Sequence, residues 1–370
     1  MNQVGIIIGP YLLGRFSMFN VLFSIRGQEI IAMLSLFSFM LFVFVISVKM
    51  DVGMVKKTGR KAIFTGVACV LSPTLIGLSV QGELGRLWSL NNEEASKLPF
   101  VIVQYCVTPF PVLVCLLEDL QILNSELGRL STSAAMVSDL LSLILSLVAN
   151  FARIGKEEGT ATVAKDSGAI MAYIIVIVFA IRPAMFWIVR QTPEGKPVKD
   201  RHINTVMLLF LSSLIFSHLF GDTIFLGPFI LGLAIPDGPP LGSAIVNKLN
   251  CFVSDVFLPL YVTTCAMRVD LSLIKFNNSF MKINAIIIVL TFVAKMVACL
   301  VPLLYTKMPL NDALALALLL SCKGVIQLFS NTYQRDAEVT MHLFSHIYFF
   351  LENTLYPLNY LPIFTFSSIV

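Results

Sequence analysis

Asp139 and Lys295 are ionisable residues set in apolar sequence. Residues 135–148 read AMVSDLLSLILSLV, and Asp139 is the only charge between Arg129 and Arg153. Lys295 stands in LTFVAKMVACL, near the middle of its own apolar run. A carboxylate and an ammonium at similar depth in a low dielectric neutralise each other, and the carboxylate can also take up a proton or a small cation in turn. Two readings are open: a carrier of exchanged ions, or a structural buried ion pair.

Two sequence breaks accompany this pair. Val107-Thr108-Pro109-Phe110-Pro111 interrupts an apolar run with two prolines, each lacking an N–H and clashing with the preceding turn. The helix is expected to open there, freeing carbonyls and turning the Thr108 hydroxyl inward. Ser321-Cys322-Lys323-Gly324-Val325-Ile326-Gln327 interrupts a second run, with Lys323 beside Gly324. Broken helices in opposite halves of a chain point to an ion site in secondary transporters. The competing readings are a simple proline kink at the first break and a snorkelling Lys323 at the second.

The elements that must hold these residues are membrane helices. Of the 370 residues 57% are hydrophobic and 13% charged, and mean hydropathy is +0.85. A soluble domain carries about 25% charged residues. Apolar runs fall near 3–14, 28–48, 61–80, 98–117, 132–152, 168–190, 204–220, 222–236, 251–267, 283–305, 310–330 and 341–368. Each full span needs about 20 residues, so the fold class expected is an all-α membrane protein with about a dozen transmembrane segments, in one membrane domain over 1–370. Residues 1–15 have no charged leader region and read as the end of a partial first helix rather than a signal peptide.

The basic loops 49–61 and 190–202 fall on one side, taken as cytoplasmic. Loop 268–282, with Arg268, Lys275 and Lys282, falls outside by the same count. Either the rule fails there or one segment is miscounted, the short run 222–236 foremost.

Other chemistry is thin. The seven cysteines form no C-x-x-C pair and read as small buried hydrophobes. Asp255 repeats the dipeptide of Asp139 (VSDVF beside VSDLL) but lies close to the polar loop 237–250, where an interfacial place is easier. Glu352 has no account. His342 and His346 are spaced i, i+4 without the H-E-x-x-H glutamate and read as interfacial. No nucleotide loop, nucleophile elbow or metal-ligand motif suggests an enzyme or a cofactor, and no basic patch suggests nucleic acid. No TVGYG-type filter suggests a channel.

The stretch IPDGPPLGS (235–243), within GDTIFLGPFILGLAIPDGPPLGSAIVNKL (221–249), resembles the plant cation/H+ exchanger family of monovalent cation:proton antiporters. So do RPAMFWIVRQTPEGKPV (182–198), TPFPVLVCLLEDLQILNSELGRLSTSAAMVSDL (108–140) and LPLYVTTCAMRVDL (258–271). The resemblance runs from the first residues to about 340, and 341–370 match poorly. It implies a sodium/hydrogen-exchanger-type fold of inverted repeats with two crossing broken helices, and a homodimer in the bilayer. It implies that Asp139, beside Ser138, carries proton or cation, with Thr108 as the polar group at the first break. Lys295 matches the family's basic residue on a later helix, Arg268 its lysine or arginine, and Lys323-Gly324 its second break. Gln327 stands where members often have Glu, and Met267 precedes Arg268 where Gly-Leu is usual. The first helix is mostly missing, and the family's large hydrophilic C-terminal region has no counterpart here. The function implied is exchange of K+ (or Na+) for H+ across a plant endomembrane or plasma membrane, supporting cation and pH homeostasis. The alternatives are a truncated, non-transporting member and a cation channel.

Overall fold

A computed structural model describes residues 25–50, 53, 58–88, 98–99, 102–103, 105–106, 108, 110–119, 121–123, 125–157, 159–192, 198–217, 225–236, 238–267, 279–305 and 308–321. Among them every regular element is helical: α1 Ile25–Lys49, α2 Arg60–Leu87, α3 Phe110–Asp119, α4 Glu126–Glu157, α5 Thr160–Val176, α6 Arg182–Gln191, α7 Asp200–Ser217, α8 Leu226–Ala234, α9 Leu241–Phe252, α10 Leu258–Met267, α11 Ser279–Tyr305 and α12 Leu310–Leu320. Two single π-helical turns, Ile177–Ile181 and Val253–Phe257, join α5 to α6 and α9 to α10.

Six helical stretches among the described residues are long and apolar enough to cross a membrane: Glu29–Lys49, Arg60–Leu87, Glu126–Ala152, Thr160–Gln191, Leu241–Cys265 and Lys282–Tyr305. The protein is therefore a multi-pass integral membrane protein. Six is half the dozen segments expected, and the described residues do not establish the larger count. Run 222–236 holds a helix of nine residues, Leu226–Ala234, and a lone span needs about 20.

The polar stretch 237–250 is not the loop that was expected. Helix α9 starts at Leu241, directly after Pro239 and Pro240. Prolines cluster at helix starts because their missing N–H has no partner there anyway. Asp255 consequently sits 14 residues into a continuous helical stretch rather than at its end.

Several hydroxyls inside the helices are satisfied locally. Ser38 donates to the Leu34 carbonyl at 2.6 Å, Thr74 to Val70 at 2.6 Å, Ser142 to Ser138 at 2.7 Å and Thr291 to Ile287 at 2.7 Å. In hydrocarbon an unanswered polar group costs several kcal/mol, so this back-bonding lets serine and threonine sit in a span. Large apolar side chains such as Phe179, Trp187 and Leu208 are exposed, as lipid-facing residues are.

The described chain divides into two compact units. One comprises Phe16–Asp51 and Leu147–Thr264, the other Val52–Ser146 with the segment from Cys265 onward. In the first, α1 packs on α8, α9 and the second π turn. Phe44 lies 5.0 Å, centroid to centroid, from Phe210, and Phe39 lies 5.1 Å from Tyr261. Tyr173 donates to the Gly227 carbonyl at 3.1 Å. At the start of α7, outside the run 204–220, Lys248 Nζ donates to Asp200 Oδ1 at 2.6 Å and holds that carboxyl below its ordinary value. Both side chains are exposed, so the pair adds little stability.

Helix α8 approaches α1 so closely that a Cβ on Gly232 would overlap the Ser47 side chain and lie 2.8 Å from the Phe44 carbonyl oxygen. Backbone at that distance does not yield as a flexible side chain does. Gly232→Val is expected to destabilise the protein by about 1–3 kcal/mol or more. A lower thermal midpoint in detergent checks this, and an unchanged midpoint would show that the helices separate freely.

In the second unit α2 and α11 pack antiparallel, Cys69 with Cys299 and Gly77 facing Thr291. Helix α12 packs on α11, where Ser321 Oγ lies 3.3 Å from Met296 Sδ.

Candidate ion site at a helix break

The break around Thr108 is present. Residues 105 and 106 are helical, Thr108 is not, and α3 begins at Phe110. Pro111 is the second residue of α3, where its missing N–H would have had no helical partner. It therefore opens the second half-helix rather than breaking one that was already running.

Each end of the break meets a charge, all within one unit. Lys295, 2% exposed, donates from Nζ to the Cys106 carbonyl oxygen at 3.1 Å. That carbonyl lies two residues before the non-helical Thr108. On the other side, the Phe110 backbone hydrogen-bonds the carboxylate of Asp139, which is 7% exposed. Phe110 heads α3, where backbone N–H groups lack partners and the dipole is positive. The Lys295 charge also acts on Asp139.

Hydroxyls complete the cluster. Ser138 Oγ donates to Thr108 Oγ1 at 3.0 Å, and both side chains are fully buried. The carboxylate, two hydroxyl oxygens and nearby backbone supply hard oxygen donors of the kind that small cations take. The ammonium beside them is a fixed charge that an arriving cation must contend with. The acid can hold a proton or sit beside a cation, and charge balance disfavours doing both.

Four of the residues singled out from sequence thus lie around the break: Thr108, Ser138, Asp139 and Lys295. Pro109, Arg268, Lys323 and Gly324 lie outside the described residues, as do Glu352, His342 and His346. Helix α12 stops at Leu320, with Ser321 in a turn, directly before the second expected break. Asp255 lies in the other unit, in a π turn, where Cys251 Sγ donates to its Oδ2 at 3.4 Å.

Sequence reasoning missed three partners. Neither the Cys106 carbonyl nor the Phe110 N–H has a letter of its own in a sequence. The third is a disulfide between Cys69 and Cys299, with Cα atoms 5.5 Å apart. Both residues are fully buried, as expected, but they are paired and not merely small hydrophobes. Their sequence separation of 230 follows no spacing rule.

Broken membrane helices with ion sites at the break occur among secondary transporters. Residues 2–348 match the family model for the transmembrane region of sodium/hydrogen exchangers. The chain is 36% identical over 319 residues to Cation/H(+) antiporter 3 of Arabidopsis thaliana, covering 81% of this chain and 39% of that protein. It is 36% identical over 325 residues to Cation/H(+) antiporter 8 of the same plant (84% and 38%), and 30% identical over 339 residues to Cation/H(+) symporter 13 (90% and 40%). The chain belongs to the sodium/hydrogen exchanger family, among the plant cation/H+ exchangers. It spans about two fifths of the length of these relatives.

Proposed function

We propose that the chain exchanges a monovalent cation, K+ foremost, for H+ across a plant endomembrane or plasma membrane, as a homodimer, and so contributes to cation and pH homeostasis. The observation that carries this reading is the buried Asp139 carboxylate next to Ser138, whose hydroxyl bonds Thr108 at the helix break. One acid that takes either a proton or a cation couples their opposite movements without a nucleotide. Thr108 and Ser138 supply the neighbouring oxygens, and alternating access exposes the site to each side in turn. The resemblance also makes Arg268 and Lys323 charge partners of the site. The names of the relatives above favour cation/proton coupling and include both antiport and symport.

The test is cation-driven proton flux in proteoliposomes with a lumenal pH dye. Potassium added outside is expected to alkalinise the lumen, and replacing it with Na+ or Cs+ ranks the cations. Lumenal acidification would mean symport, and K+ flux without proton movement would mean a channel. Silence in the presence of correctly inserted protein would mean a non-transporting member. Each of these outcomes overturns the proposal.

A further inference from the structure

Helix α2 carries none of the site residues, yet one of its turns touches both the Asp139 helix and the Lys295 helix. Gly66 and Cys69, spaced i, i+3, lie on one face. An ideal Cβ on Gly66 would lie 2.5 Å from the Ala134 carbonyl oxygen and 2.9 Å from Val137 Cβ on α4. Ala134 is one turn before Ser138, and Val137 directly precedes it. Three residues along α2, Cys69 is bonded to Cys299 on α11. Cys299 is one turn after Lys295, at i+4, on the same face.

We propose that the Gly66–Cys69 turn is the spacer that sets the separation of the Asp139 helix from the Lys295 helix, making Gly66, Cys69 and Cys299 positioning residues of the site. Close approach at Gly66 fixes α4 on one side, and the covalent bond fixes α11 on the other. Both sulfurs belong to residues with no exposed surface. Thiol exchange needs an attacking thiolate with access to the bond, which apolar burial denies. The bond therefore works as a permanent tether and not as a redox switch. Charge–charge energy varies inversely with distance and is larger in a low dielectric. A change in spacing should therefore alter how strongly a cation competes with Lys295 at Asp139, and hence the apparent cation KM. A merely structural loss would reduce the number of working molecules and leave KM alone. This consequence for KM rests on the exchange proposed above; the spacing itself does not.

The test uses the full chain in proteoliposomes. Denatured without reductant, the wild type should leave Cys69 and Cys299 unreactive toward a maleimide, and reduction should expose both. Spin labels on unnatural residues replacing Ile144 on α4 and Val297 on α11, both exposed, report the helix separation. The distance distribution should lengthen or broaden in Gly66→Ala and in Cys69→Ser. It should stay as wild type in Gly82→Ala, where the added Cβ meets nothing within 4 Å. Apparent cation KM should shift severalfold in the first two variants and not in the third. Should Gly66→Ala fail to reach the membrane, the near-isosteric Cys69→Ser carries the test. Wild-type spacing in Cys69→Ser overturns the proposal, as does maleimide labelling of Cys69 and Cys299 before reduction. The distance and labelling readouts need no transport, so silent vesicles with the expected spacing change would count against ion exchange alone.

Discussion

Asp139→Asn is expected to reduce cation-driven proton flux to the level of empty liposomes while the chain still folds and inserts. The amide nearly matches the carboxylate in shape and keeps an oxygen that can accept from the Phe110 backbone, so the local geometry has reason to persist. What is lost is the ability to gain and release a proton, and with it the negative charge that draws a cation into a dry site. Asp139→Glu keeps the chemistry on a longer arm and should retain reduced exchange. The proteoliposome assay, normalised to inserted protein, measures both. Exchange by Asp139→Asn at the wild-type rate would remove Asp139 from the mechanism and turn attention to Asp255, the other acid deep within a helical stretch.

Lys295→Met should act first on stability. It removes the donor to the Cys106 carbonyl and the positive charge near Asp139. A buried hydrogen bond from a charged donor is worth about 1.5–3 kcal/mol. Lys295→Arg keeps the charge and should cost less. The sharper check is the double variant Asp139→Asn with Lys295→Met. If the penalty comes from an uncompensated carboxylate, the double variant is more stable than Lys295→Met alone, and unfolding of the four proteins in mixed micelles gives the coupling. Simple addition of the two single effects would mean that the charges do not interact.

How far the site was legible depended on what kind of group each part is. Asp139 could be found because charge in an apolar run is conspicuous in one-letter code, and the Thr108 break because proline marks it. The partners that give those residues their setting are the Phe110 backbone and the Cys106 carbonyl, and backbone groups leave no trace in residue types. The pairing of Cys69 with Cys299 depends on two helices lying antiparallel, which neither segment declares alone. The fold class followed from composition. The boundaries did not: Pro239 and Pro240 read as loop when they introduce α9, so Asp255 lies within a helical stretch and not beside a loop. Short helices such as Leu226–Ala234 look like spans in a hydropathy profile but lack the length to cross alone.

The self-answered hydroxyls of Ser38 and Thr74 bear on how the protein is assembled. A segment whose polar groups bond within its own turn can leave the insertion machinery and rest in lipid as a solitary helix. The segments bearing Asp139 and Lys295 have no such independence. The first is synthesised long before the second and must wait, its carboxylate without its later ammonium, until α11 arrives. Helix association in a bilayer follows insertion, so the period between the two syntheses is when the nascent chain is most exposed to quality control. Variants that weaken the α2 spacer would then show their first effect as reduced yield of finished protein in the membrane.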